Sequence, residues 1–205
     1  MFIGVYSLSV LFSYIAVILS FGSCYFALNG NLKITLILYL LVGLIDVLDG
    51  KFAGLFKRND FEKKYGVQID TVLDVFNYSA VPIVILYFLG FKEMIDIVLY
   101  VVYVFCVTTR LAYFNTLVEN DNKVFYGVPS TMIVFGLPVM LIIYTLTNSI
   151  WLFRLLLLVM SFSFIVNIKI KKSRSKKFFM IIGVSGILLI LGILYLLKDF
   201  FMTKI

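Results

Sequence analysis

The sequence predicts an all-α integral membrane protein, a polytopic bundle of six to seven transmembrane helices. Three observations carry that expectation. The 205 residues are 62% hydrophobic and 14% charged, with mean hydropathy +1.08, whereas soluble domains are about half apolar and about a quarter charged. The apolar residues fall into runs of about 20, the length that crosses a hydrocarbon core. The basic residues gather beside those runs, in two clusters.

Taken in order, the first run, 5–28, has neither a basic leader nor a small-residue cleavage site and reads as a retained span. The second, 33–56, follows the short NGNLK connection and ends at a basic cluster of Lys57, Arg58, Lys63 and Lys64. The third and fourth, 67–89 and 94–116, are joined by GFKE. Asp96 and Arg154 fall near the outer ends of their runs and read as interfacial or snorkelling. The fifth run, 128–147, follows a loop at 117–127, LVENDNKVFYG; the TNS connection leads into the sixth, 150–168. A second basic cluster follows: Lys169, Lys171, Lys172, Arg174, Lys176 and Lys177. The seventh run, 178–198, contains the uncharged stretch IIGVSGILLILGILYLL. Its Gly183, Ser185, Gly186 and Gly192 suit close helix contact, as in a scaffold or dimer helix. The chain thus reads as one transmembrane domain, 1–205, with a core at 10–170 and an extra C-terminal span at 178–198.

The net charge of +7 comes from the two clusters. In those places basic residues set topology and attract anionic headgroups, and no nucleic-acid module is visible. If both clusters face the cytoplasm, so does the N-terminus, and the short connections lie outside. Cys24 and Cys106 fall inside spans and read as small buried apolar residues.

Four aspartates break the apolar pattern. LIDVLDGKFAGLF carries Asp46 and Asp49, and YGVQIDTVLDVF carries Asp70 and Asp74. Spacings of three and four put each pair on one helix face. A short basic loop makes the second and third runs antiparallel neighbours. Counted back from it, Asp49 and Asp46 lie about 10 and 15 Å deep, Asp70 and Asp74 about 6 and 12 Å. All four can therefore meet at one level, in the cytoplasmic half of the membrane. Clustered carboxylates repel unless a cation sits among them. Oxygen-only ligands favour magnesium, manganese or calcium, and the chain has no histidine to suggest zinc or copper. Paired divalent ions suit chemistry on phosphates. Gly50, Ala53, Gly54 and Gly66 leave room for a ligand near the backbone. On the residues alone, a metal-dependent enzyme and a cation transporter both stand.

The pattern Asp46-x-x-Asp49-Gly50-x-x-Ala53, then Gly66-x-x-x-Asp70-x-x-x-Asp74, resembles the signature of the CDP-alcohol phosphotransferases. The arginine their pattern places after Ala53 is Gly54 here, and eleven residues separate Gly54 from Gly66, slightly more than usual. Within that family the chain is most similar to phosphatidylserine synthases, over roughly residues 10–180. The similarity includes ALNGNLKI at 27–34, Pro82, RLAYFN at 110–115, FYGVP at 125–129 and the basic junction VNIKIKKSRSKKF. Tyr113 replaces a usual basic residue, and Thr131 stands where a second proline is common.

The resemblance implies a multi-pass cell-membrane enzyme of that family's fold, a homodimer with its active site in the cytoplasmic half. It implies transfer of a phosphatidyl group from CDP-diacylglycerol to L-serine, releasing CMP, with Mg or Mn as cofactor, two ions in all. Glycerol phosphate, inositol phosphate and choline are alternative acceptors of the same chemistry. By the resemblance, Asp46, Asp49, Asp70 and Asp74 correspond to metal ligands, and Asp74 is also the general base. Asp49, Gly50, Ala53 and Gly66 correspond to the nucleotide site, and Lys51 or Lys57 could stand in for the absent arginine. Arg110 is the candidate for binding the acceptor's carboxylate or phosphate, with Asn115 beside it. An inactive relative is the third possibility, suggested by Gly54.

Overall fold

The structure is a computed structural model, and it describes residues 3–6, 8–53, 58–118, 124–171, 185–193 and 195. Among the described residues, helices occupy most of each predicted run; residues 54–56 of the second run and 178–184, 194 and 196–198 of the seventh lie outside the described residues. α1 (Leu8–Leu28) and α2 (Leu32–Ala53) are joined by a tight turn in which Gly30 takes φ +73°. The Asn31 side chain accepts from the Ile34 amide at 3.2 Å and so caps α2. α3 (Asp60–Val75) begins well before the apolar run, because Asn59 and Glu62 form a reciprocal capping box and Asp60 and Glu62 favour the positive end of the helix. Its first turns are therefore polar, and Asp70 lies about 15 Å along the helix rather than close to its start.

α3 continues through a five-residue π-turn, Phe76–Ala80, into α4 (Val81–Phe88). Pro82 explains the interruption. It lacks an N–H, and its ring would crowd the carbonyl four residues back, that of Tyr78. The ladder widens, Val81 N–H bonds to the Phe76 carbonyl, and the Asn77 and Tyr78 carbonyls lose their helical donors. Tyrosine hydroxyls from neighbouring helices replace those donors. Tyr39 of α2 donates to the Asn77 carbonyl at 3.1 Å, and Tyr103 donates to that of Tyr78.

α5 (Met94–Val118) follows, then a short strand β1 (Val124–Tyr126), a 3₁₀ turn (Ser130–Met132), α6 (Ile133–Thr147), α7 (Ile150–Ile165) and strand β2 (Lys169–Lys171). Asn148 in the left-handed region ends α6, and Ser149 caps α7. Residues 185–193 are helical and pack on α2 and α6, where the place of a Cβ on Gly186 lies 3.5 Å from Leu44. Among the described residues, four stretches are long and apolar enough to cross a membrane: Val10–Leu28, Asp60–Phe88, Met94–Thr116 and Ser130–Thr147. α2 has 22 residues but carries charge, and α7 is a shorter apolar helix.

The core runs between α2, α4, α5 and α6, where Leu36, Tyr39, Leu40, Tyr78, Val107, Val134 and Leu137 are fully buried. At Gly43 a Cβ would stand 2.7 Å from Val134, so glycine lets α2 and α6 approach. Large side chains such as Phe21, Phe105 and Trp151 stay exposed, as expected where the surrounding solvent is lipid.

Two expectations are corrected. Asp96 and Arg154 do not reach outward: both are buried and form an ion pair, Arg154 Nε donating to Asp96 at 2.8 Å and Nη2 at 3.1 Å. Arg154 also bonds Glu93 at 2.7 Å and lies over the Trp151 ring. A charge pair removed from solvent is held by mutual attraction, and it fastens α5 to α7. The loop at 117–127 and the basic junction are not wholly irregular either, since β1 pairs antiparallel with β2, Phe125 opposite Ile170. Gly127 makes this junction possible: it has φ +72°, and a Cβ there would collide with the Phe164 carbonyl.

Candidate active site

Asp46 on α2 and Asp70 and Asp74 on α3 converge. Each is half-buried, and one carboxylate oxygen from each lies within 4.8 Å of the others. The antiparallel α2 and α3 place them at one level, and successive turns of α3 supply Asp70 and Asp74. The Asp46 and Asp74 side chains are within hydrogen-bonding reach of one another, and Ser13 of α1 donates to Asp70 at 3.4 Å. Three carboxylates this close would repel strongly without a counter-charge. The donor set is all oxygen, with neither histidine nor cysteine, and suits a hard divalent cation.

Asp49, Gly50 and Ala53 fall on the last turns of α2, and their side chains lie outside the described residues, as do those of Lys51 and Lys57. Gly66 is described and lies on α3, one turn before Asp70. The guanidinium of Arg58 sits over it, Nη1 being 3.6 Å from where a Cβ would stand. A cation therefore faces the stripe that leads to Asp70 and Asp74.

Arg110 on α5 is buried, and its guanidinium interacts with the charges of Asp74 and Asp46. It donates to Ser130 Oγ at 3.2 Å and stacks over Phe114, yet among the described residues its Nε has no hydrogen-bond partner. Arg110 lines a cavity of about 250 Å³ together with Thr109, Tyr113 and residues 164–167 at the end of α7. Asn115 is engaged elsewhere, its amide nitrogen donating to Thr71 Oγ1 at 2.8 Å. It ties α5 to α3 one residue from Asp70.

The residues alone did not point to Tyr78, Ser130, Thr71 or Arg58 in these roles. Tyr78 had one legible signal, a spacing of four beyond Asp74, which continues the Asp70–Asp74 stripe. Its side chain is fully buried, and its hydroxyl feels the charges of Asp46 and Asp74 without a hydrogen bond of proper geometry. A buried hydroxyl left so costs about 1–3 kcal/mol. Among the described residues, Arg110 Nε is the other buried side-chain polar atom of the centre without a hydrogen-bond partner.

A sequence model of the CDP-alcohol phosphatidyltransferase family matches residues 6–162. The CDP-diacylglycerol–serine O-phosphatidyltransferase of Mycobacterium bovis is 29% identical over 103 residues, which is 50% of this chain and 35% of that protein. The enzyme of the same name from Saccharomyces cerevisiae is 29% identical over 100 residues, 44% of this chain and 35% of that protein. That of Mycobacterium leprae is 30% identical over 102 residues, 49% of this chain and 33% of the relative. The chain thus spans about a third of the length of the curated relatives it matches.

Proposed function

The chain belongs to the CDP-alcohol phosphatidyltransferase family, and from that premise we propose that it transfers the phosphatidyl group of CDP-diacylglycerol to L-serine, giving phosphatidylserine and CMP. One observation carries the reading: the carboxylates of Asp46, Asp70 and Asp74 gathered within 4.8 Å at one end of an apolar bundle. A lipid-tailed donor calls for a site inside a membrane protein, and a diphosphate calls for divalent cations. Serine is favoured among acceptors by the names of the relatives, each a CDP-diacylglycerol–serine O-phosphatidyltransferase. Family membership also favours the enzyme over a cation transporter.

Asp46, Asp70 and Asp74, with Asp49, would hold two ions, magnesium or manganese. When bound, these neutralise the phosphate charge and polarise the reacting phosphorus. Asp74 takes the proton from the serine hydroxyl, whose oxygen forms the new bond to the diester phosphorus while the bond to CMP breaks. The chain has no histidine for that task. Gly66, with Gly50 and Ala53, admits the nucleotide, and Arg58 over Gly66 offers its phosphates a cation in place of the arginine absent at Gly54. Arg110, which lines the cavity, receives the acceptor's carboxylate through its guanidinium, and the cavity has room for a small amino acid. Asn115, bonded to Thr71, keeps Arg110's helix on α3. The site belongs to the cytoplasmic half of the membrane, beside the basic clusters, in a protein that acts as a homodimer.

Purified protein incubated with labelled CDP-diacylglycerol, serine and Mg²⁺ or Mn²⁺ should release CMP only when all three are present. Substituting glycerol phosphate, inositol phosphate or choline for serine tests the acceptor. Release of CMP with none of these alcohols would sink the reading.

A further inference from the structure

Tyr78 sits inside the π-turn, and three other helices fasten that turn. Ser20 of α1 donates to Asn77 Oδ1 at 2.7 Å, while Tyr39 of α2 and Tyr103 of α5 take the two carbonyls that Pro82 and the widened turn release. In an uninterrupted α-helix, Tyr78 would fall about 40° past Asp74 around the axis. The wider turn advances less per residue and returns Tyr78 toward the Asp70–Asp74 stripe.

The result is a phenol held rigidly against the carboxylate cluster. Its hydroxyl lies close enough to Asp46, and next to Asp74, to interact with their charges. It is within hydrogen-bonding reach of the Asp46 carboxylate, but among the described residues that contact falls short of hydrogen-bond geometry. The side chain is 0% exposed, so a substrate cannot reach it. Packing does not require the hydroxyl either, since phenylalanine would fill the same space. What remains is a task toward Asp46.

We propose that Tyr78 is a positioning residue of the carboxylate centre, its hydroxyl donating to the Asp46 carboxylate when that carboxylate would help hold a divalent cation. The idea rests on the metal-dependent reading above. Such outer hydrogen bonds orient a ligand and raise its basicity, and their loss typically weakens metal binding about 10- to 100-fold. While that bond is not properly formed, the buried hydroxyl costs stability. That sign separates positioning from mere packing.

The test is Tyr78→Phe in the full chain purified in detergent, with Tyr100→Phe as control. Tyr100 is a buried tyrosine with a partner, donating to the Phe91 carbonyl at 2.8 Å. In EDTA, Tyr78→Phe should melt at the same temperature as the parent or higher, and Tyr100→Phe lower. Titrated with Mn²⁺ and followed by the rise in melting temperature, Tyr78→Phe should bind about tenfold or more weakly, and Tyr100→Phe like the parent. The Mn²⁺ concentration for half-maximal CMP release should rise in the same proportion, with the KM for donor at saturating Mn²⁺ unchanged. Unchanged Mn²⁺ affinity in Tyr78→Phe, or a lower melting temperature in EDTA, overturns the proposal while leaving the enzymatic reading in place. A parent protein that binds no Mn²⁺ overturns both.

Discussion

At the scale of single residues, the chemistry concentrates in a few charged groups with opposed demands. Asp46, Asp70 and Asp74 lie close enough to repel one another when ionised. Removing one should therefore harm activity without harming the fold. Asp74→Asn is expected to lower kcat by about 10²- to 10⁴-fold, with the melting temperature in EDTA equal to or above that of the parent. A large fall in melting temperature would make Asp74 structural. Arg110 makes the complementary case. Its planar fork serves Ser130 and lines the cavity, and lysine cannot reproduce that geometry. Arg110→Lys should raise the acceptor KM on the order of 10- to 100-fold and leave the KM for CDP-diacylglycerol nearly unchanged. Equal effects on both constants would move Arg110 from the acceptor to the shared metal centre.

Between elements, polar interactions set the assembly that apolar packing alone leaves loose, because lipid tails compete with every apolar face. The Arg154–Asp96 pair joins α7 to α5 at one end, and the Asn115–Thr71 bond joins α5 to α3 at the other. Arg154→Leu strands Asp96 without its partner and should cost about 3–5 kcal/mol. The double substitution Arg154→Leu with Asp96→Leu should recover most of that loss. Thermal or denaturant unfolding of the four proteins of this cycle reads the coupling directly, and purely additive losses would show that the pair contributes nothing. The π-turn follows the same logic. Pro82 releases the Asn77 and Tyr78 carbonyls, and hydroxyls from α2 and α5 receive them, so a local defect becomes a junction of three helices.

For the whole molecule, the proposed metal centre would link folding to ligand binding. A cation that binds only the folded bundle stabilises it by about 2.7 kcal/mol at a hundred times its Kd. Added Mg²⁺ or Mn²⁺ should therefore raise the melting temperature and EDTA should reverse the change. Asp46→Asn should lose most of the response, and a full response in that variant would place the cation elsewhere. The bundle, its apolar spans and the aspartates on one stripe were legible without coordinates, because they follow from local rules: run length, helical period, and carboxylates three and four residues apart. Asp96 and Arg154 read wrongly for the opposite reason. They lie 58 residues apart, and each alone looks like a charge seeking water. Tyr78, too, looks like one more aromatic until Pro82, Tyr39 and Tyr103 are seen to fix it beside Asp46. By itself, then, the sequence determined the solvent, the helices and the helical spacing of the carboxylates, since these depend on residues close along the chain. Only the tertiary structure decided which buried polar groups find one another and which stay open for a ligand, since that depends on distances between helices that no spacing along the chain encodes.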